Sequence, residues 1–262
     1  MWDLIIINPM VNTLLYIYSV IGNFGIAIII FTILIRLITH PLTVSQMKSA
    51  QALQEIQKSK EWQEIQKKYK DDKQKLSQEQ MRLYQEMGIN PFGSCLPLLI
   101  QFPIIIGLYQ AIILALATTP YQLLNLSKHL YSFIDAARLI PINNKFLWMD
   151  LSQPERLPVF GIGIPVLAIV VVITTYLQQK LMTPPPAQSG DQTAQISQMM
   201  NIYMPLFIGY ISYTLASGLA LYFVTSNVVG ILQYAAMGKL NWKNLLSFRS
   251  QPSVQKNVGK KK

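Results

Sequence analysis

FGIAIIIFTILIRLITHPLTV, Phe24 to Val44, is long and apolar enough to cross a bilayer, yet it carries a cation, Arg36, in its interior. No aspartate or glutamate occurs in any hydrophobic segment of the chain to neutralise it. An ionisable group within a span costs about 2.5 kcal/mol or more and marks a functional path that faces protein or water. Arg36 lies eight residues before Val44, about 12 Å along a straight helix at 1.5 Å per residue. Snorkelling to the interface competes with this reading, but that depth favours a wet cavity open to the cytosol.

Outward from this stretch, 51% hydrophobic and only 13% charged residues describe an integral membrane protein, since a span needs about 20 apolar residues. Phe92–Thr118, Leu157–Gln179 and the uncharged run Met199–Gly238 are also long enough. The last would measure about 60 Å as one helix, twice the hydrocarbon core, so it must fold back near Ser217 and Gly218. The expected organisation is an outer interfacial segment (1–23), span 1 (24–44), a cytosolic helical hairpin (45–91), span 2 (92–118) and an extracytoplasmic loop (119–156). Span 3 (157–182), a cytosolic linker (183–198), span 4 (199–217), span 5 (218–238) and a basic cytosolic tail (239–262) follow. The loop 45–91 holds nine Lys and Arg and the tail seven, against four in 119–156. Cytosolic segments carry the excess of these residues, which puts the N-terminus outside and the C-terminus in the cytosol. The first residues lack the basic start and small-residue cleavage pattern of a signal peptide.

The hairpin is rich in helix formers and in pairs such as Glu64 and Lys68, whose i,i+4 spacing supports a solvated helix. Its sparse apolar residues cannot make a large core. It is either a plain charged loop or a mobile arm that meets incoming chains through Trp62, Lys67 and Lys68. Thr183 to Gly190, with three prolines, reads as a linker. The basic tail either enforces topology or binds anionic head groups or ribosomal RNA. The single cysteine, Cys95, has no internal disulfide partner and reads as a small buried hydrophobe.

Polar residues in the spans fall on faces. Thr32, Arg36, Thr39 and Thr43 are spaced by four, three and four on one side of span 1. Thr175, Gln178 and Gln179 gather near the cytosolic end of span 3, and Tyr222, Ser226 and Gln233 share a face of span 5 beside Phe223, Asn227 and Tyr234. Such stripes either line a watery interior or join helices by hydrogen bonds. His40 and His129 have no nearby carboxylate or cysteine in the sequence. No phosphate loop or nucleophile constellation is present. The expectation is a non-enzyme without metal or cofactor.

Asn90-Pro91-Phe92-Gly93-Ser94-Cys95-Leu96-Pro97-Leu98-Leu99-Ile100-Gln101-Phe102-Pro103-Ile104 resembles the signature of the YidC family of membrane protein insertases (the Oxa/Alb/YidC superfamily). Arg36 with Pro41, Leu42 and Gln46, the segment Phe146–Leu151, Met199, Met200, Met204 and Pro205, and Ser217–Tyr222 with Asn227 extend the resemblance over nearly the whole chain.

The resemblance implies an all-α membrane protein of five transmembrane helices around a hydrophilic groove open to cytosol and lipid, in the compact form without a large extracytoplasmic domain. On that pattern Arg36 is the groove's cation, Gln179 a polar groove residue and Phe223 the aromatic position where relatives carry tryptophan or tyrosine. Thr32, Thr39, Tyr222 and Ser226 complete the expected client-binding set. The implied function is insertion and folding of membrane proteins from the cytosolic side, in a bacterial plasma membrane or a thylakoid. Nascent membrane proteins and the lipid bilayer are the implied partners, with the ribosome, the Sec translocon and the signal-recognition-particle receptor as further candidates. A lipid scramblase or small-solute transporter is the alternative from another class.

Overall fold

The computed structural model describes residues 1–69, 72–88, 96–117, 119–135, 139, 142–159, 162–182, 192–238 and 240. Asn90–Cys95, the proline-rich linker and the tail beyond 240 lie outside the described residues.

The protein is mostly helical. A short π-helical turn, Asp3–Ile7, runs into α1 (Asn8–Ile21), which Gly22 ends at φ 75°, a left-handed conformation that glycine adopts without a Cβ clash. The Asn23 side chain then accepts from Ile26 N at 3.1 Å and starts α2 (Phe24–Ile38). The first expected span bends here: α3 (His40–Lys58) follows after Thr39, and its first turns make 54° with α2. Pro41 in the first turn of α3 accounts for the break, because it has no N–H for the carbonyl four residues back and its ring crowds it. Arg36 therefore sits in the last turn of α2, and the depth reckoned along a straight helix does not apply.

Helices α4 (Lys60–Lys68) and α5 (Lys73–Glu86) complete the hairpin, capped by Ser59 and Asp72 side chains. Helix α6 (Leu96–Ala115) leads to α7 (Pro120–Ser127), which opens on a capping box between Thr119 and Gln122. Two small antiparallel pairs follow, β1 (Lys145–Phe146) with β2 (Met149–Asp150) and β3 (Leu157–Val159) with β4 (Ile162–Ile164). The chain ends in α8 (Val166–Met182), α9 (Gln192–Thr214) and α10 (Ser217–Ala236). The long uncharged run folds back at Leu215–Ala216, just before the expected Ser217.

Helix α10 is the hub: it packs on α2, α6, α8 and α9. Phe24, Ala27, Ile28, Leu108, Ile112, Leu219 and Ala220 are fully buried among these helices. One end of the bundle is plugged by the loop that carries β1 and β2. Ser217 Oγ donates to Asp150 O at 2.7 Å, Gly218 N to Leu151 O at 3.1 Å and Ser217 N to Gln153 O at 2.8 Å, while Leu151 is wholly buried. Phe146 lies against Gly25, where any Cβ would overlap its ring. Glu155 accepts from Leu167 N at 3.0 Å, capping α8, and from Trp148 Nε1 at 2.9 Å.

At the opposite end the hairpin builds a small core of its own from Ile56, Trp62, Leu83 and Tyr84, separate from that of the bundle. Its surface carries the three ion pairs found among the described residues, all local; the strongest, Arg82 to Glu86 at 2.9 Å, raises the proton affinity of the guanidinium.

Two described helices are long and apolar enough to cross a membrane by themselves, Asp3–Ile21 and Ser217–Ala236; the bent pair Phe24–Ile38 and His40–Ser49 makes a third if it is one broken span. Gln101–Ala115 and Val166–Met182 are shorter apolar helices. Leu34, Leu37, Phe102, Ile106, Ile173, Leu206, Phe207 and Leu232 are exposed on the bundle surface. Large apolar side chains left exposed on five helices ask for a cover other than water.

Candidate functional site

Arg36 reaches from the last turn of α2 to α10, where its Nε donates to Ser226 Oγ at 2.8 Å and Nη2 donates to the same oxygen. Among the described residues no carboxylate stands within ion-pair distance of it. The cation is thus held by a neutral hydroxyl, which solvates it in part and leaves its charge uncompensated. Among the described residues the guanidinium makes no other hydrogen bond.

Ser226 is one member of a chain of polar groups. One turn toward the plugged end, Tyr222 is buried and its hydroxyl accepts from Gln101 Nε2 of α6 at 2.7 Å. Phe223 is also buried, its ring tilted against that of Tyr222 at 5.6 Å. Two turns the other way, Gln233 Nε2 donates to the backbone oxygen of Arg36 at 3.0 Å. Asn227 Nδ2 bridges to α8, donating to Thr174 Oγ1 at 3.0 Å and Thr175 Oγ1 at 2.9 Å. Helices α2, α6 and α8 are therefore each joined to α10 by polar bonds, those of Ser226 and Gln233 being the ones that meet Arg36.

The expected site residues divide into groups. Arg36, Tyr222 and Ser226 come together as one constellation. Gln179 is partly buried near the end of α8, with Oε1 buried and unbonded among the described residues. Thr32 has no exposed surface and gives its hydroxyl to Ile28 O at 2.7 Å, and Thr39 likewise to Ile35 O at 2.8 Å, so both serve their own helix. Trp62 is only 2% exposed and packs on Tyr84 with ring centres 5.4 Å apart, which makes it the anchor of the hairpin core. Lys67 and Lys68 are exposed on the same helix, Lys68 Nζ standing 5.3 Å over the Tyr69 ring.

Gln101 and Gly230 adjoin the surroundings of Arg36 without being singled out by the sequence, and Gln178 stands in the expected polar cluster of span 3 but outside the expected binding set. Gln101 was readable only as part of a motif, and Gln178 only as one of two adjacent glutamines. A glycine gives no side-chain signal at all. His129 lines a cavity of about 420 Å³ with Asp3, Gln110 and Asn125 between the N-terminal turn, α6 and α7, at the plugged end and away from Arg36. No group of three or more metal-ligating side chains occurs among the described residues.

The family model described as 60Kd inner membrane protein matches residues 16–244. The chain is 38% identical over 235 residues to the membrane protein insertase YidC of Clostridium tetani, covering 87% of this chain and 90% of that one. It is 35% identical over 267 residues to the membrane protein insertase MisCA of Bacillus subtilis, covering the whole of this chain and 86% of that one. Among solved structures it is similar to an active YidC insertase with its first transmembrane domain resolved, at a TM-score of 0.51 and 26% identity. That match covers 84% of this chain and spans 43% of the solved one.

Proposed function

This chain belongs to the 60Kd inner membrane protein family and is a membrane protein insertase of the YidC type, and on that premise we propose that Arg36 is the group that receives the polar tail of a client. The observation that carries the reading is that, among the described residues, the side chain of Arg36 is hydrogen-bonded to Ser226 and to no other group, a cation in an apolar helix with no carboxylate there to balance it. A client's acidic or polar segment supplies the missing counter-charge. In surroundings less polar than water this attraction is stronger than in bulk, although desolvation consumes much of the gain.

The groove that holds this segment lies between α2, α8 and α10 and opens at the hairpin end. The plug of Phe146, Leu151 and Ser217 closes the other end, so the client's tail waits beside Arg36 while its hydrophobic helix moves along the exposed apolar faces of α8 and α9 into lipid. Burial of apolar surface at about 25 cal/mol per Å² drives that transfer, and this chain need hydrolyse nothing.

Five spans, α2 with the start of α3, α6, α8, α9 and α10, make the bundle in this reading, with the plugged end outside and the hairpin in the cytosol. Asp3–Ile21, about 28 Å long, then lies across the outer end rather than through the bilayer. Two contacts support this: Trp2 Nε1 donates to Gln110 Oε1, in the third of α6 nearest the plug, while Tyr18 stacks edge-on against Phe24 at the start of α2. Both ends of the helix thus meet the same end of the bundle. The hairpin, with Lys67 and Lys68 exposed, receives nascent chains or the machinery that delivers them.

Insertion of a single-spanning client with an acidic outer tail into proteoliposomes tests the reading. Arg36→Lys keeps activity and Arg36→Ala loses it, each variant having first been shown to fold. An Arg36→Ala protein that inserts as well as the wild type removes the proposal.

A further inference from the structure

Gly230 is buried on α10 one turn beyond Ser226, so the two small residues share a face. Small residues four apart often let helices approach closely through their backbones. The surroundings of Gly230 are different. A Cβ at this position would overlap Nε2 of Gln178, from α8, and would come to 3.9 Å from Cζ of Arg36, from α2; among the described residues no backbone atom of another helix is one of its three nearest neighbours. The space above Gly230 is therefore filled by the carboxamide of one helix and flanked by the guanidinium of another.

We propose that Gly230 is a specificity-determining positioning residue: its missing side chain seats the Gln178 carboxamide beside Arg36, so that a client carboxylate meets a neutral N–H donor next to the cation. This rests on the reading that Arg36 receives the client's tail. Two guanidinium nitrogens of Arg36 already donate to Ser226 Oγ, so one further donor in place spares the carboxylate a lone pair left unsatisfied after it leaves water. Satisfying both oxygens matters more for an ionised group than for a neutral one, because hydrogen bonds to charged groups are the stronger class. The arrangement thus favours acidic tails over neutral polar ones.

The obstacle to a methyl group is the far end of a flexible side chain, and the contact with Arg36 Cζ would be of ordinary length. Gly230→Ala therefore displaces the Gln178 amide and leaves the helices where they are. The test is a double-mutant cycle in proteoliposomes with wild type, Gly230→Ala, Gln178→Ala and the double variant. Each is assayed with an acidic-tailed client and with the same client carrying serine for each acid. Each single substitution is expected to slow insertion of the acidic client by about fivefold, and the double variant to be no slower than the worse single, the non-additivity expected of side chains in contact. The serine-tailed client should change by less than about twofold on the same footing.

Effects that multiply in the double variant overturn the inference, as does an equal loss for both clients or a Gly230→Ala protein that behaves as wild type. If Gly230→Ala does not fold, a double variant that does fold supports the proposal, since shortening Gln178 has removed the clash; a double variant that also fails overturns it. Arg36→Ala in the same assay separates the two levels. Wild-type insertion by Arg36→Ala ends the functional reading itself, whereas loss with Arg36→Ala and multiplying effects at Gly230 and Gln178 ends only this inference.

Discussion

The side-chain amide of Gln233 donates to the backbone oxygen of Arg36 at 3.0 Å, across 197 positions of sequence. The last four carbonyls of a helix have no partner within it, and Arg36 lies in the last turn of α2 just before the bend at Thr39. Gln233 thus caps α2 from another helix and fixes where the arginine side chain departs. Gln233→Ala leaves that carbonyl dependent on the long contact from Thr39 Oγ1 at 3.4 Å. A loss of about 1–3 kcal/mol is expected, read as a lower thermal midpoint in detergent.

Asn227 holds α10 to α8 through two threonine hydroxyls at once. Asn227→Ala should cost about 1–2 kcal/mol, the upper part of the range for hydrogen bonds between helices in membranes. Thr174→Val should cost less, because Thr175 still accepts. Equal losses from Thr174→Val and Asn227→Ala in the same melting experiment would contradict the shared arrangement.

Glu155 is a buried carboxylate that ties the plug to the start of α8, one oxygen taking Leu167 N and the other Trp148 Nε1. Both bonds are charge-assisted, and the first N–H groups of a helix favour a negative charge. Glu155→Ala should lower stability by about 2–3 kcal/mol, and Trp148→Phe, which frees only one oxygen, by less. The order of the two midpoints is the check.

Trp62 is the largest buried side chain of the hairpin. Trp62→Ala in a packed core costs about 3–5 kcal/mol, more than a cluster of this size can absorb, yet that cluster is separate from the core of the bundle. The expected result is local: rapid proteolysis between Ser59 and Glu86 with an unchanged melting midpoint for the remainder. A drop in the global midpoint would show that hairpin and bundle unfold together.

Much of the architecture was legible beforehand because its causes are local. The apolar runs read as helices, the fold-back expected near Ser217 is found at Leu215–Ala216, and Tyr222, Ser226 and Gln233 share a face of α10 as the helical period requires. The bend at Thr39 is invisible to a hydropathy run even with Pro41 present, because such a run registers length and not the loss of one backbone donor. For a related reason Trp62 reads from sequence as an outward contact residue, whereas it is buried. Sparse apolar residues on two short helices look solvated until the helices are laid together.

By itself the sequence determined that this chain is a membrane protein built of apolar helices and that one of them carries a charge no acidic residue in those helices can neutralise. Composition, length and periodicity decide these properties, and each is a sum over neighbours along the chain. Only the tertiary structure decided what surrounds that charge: Ser226 and Gln233 from α10, and the amide of Gln178 from α8 seated over Gly230. A helix repeats every 3.6 residues and so predicts which side chains share a face. Which face meets which follows from the packing of whole surfaces against each other, and no local pattern encodes it.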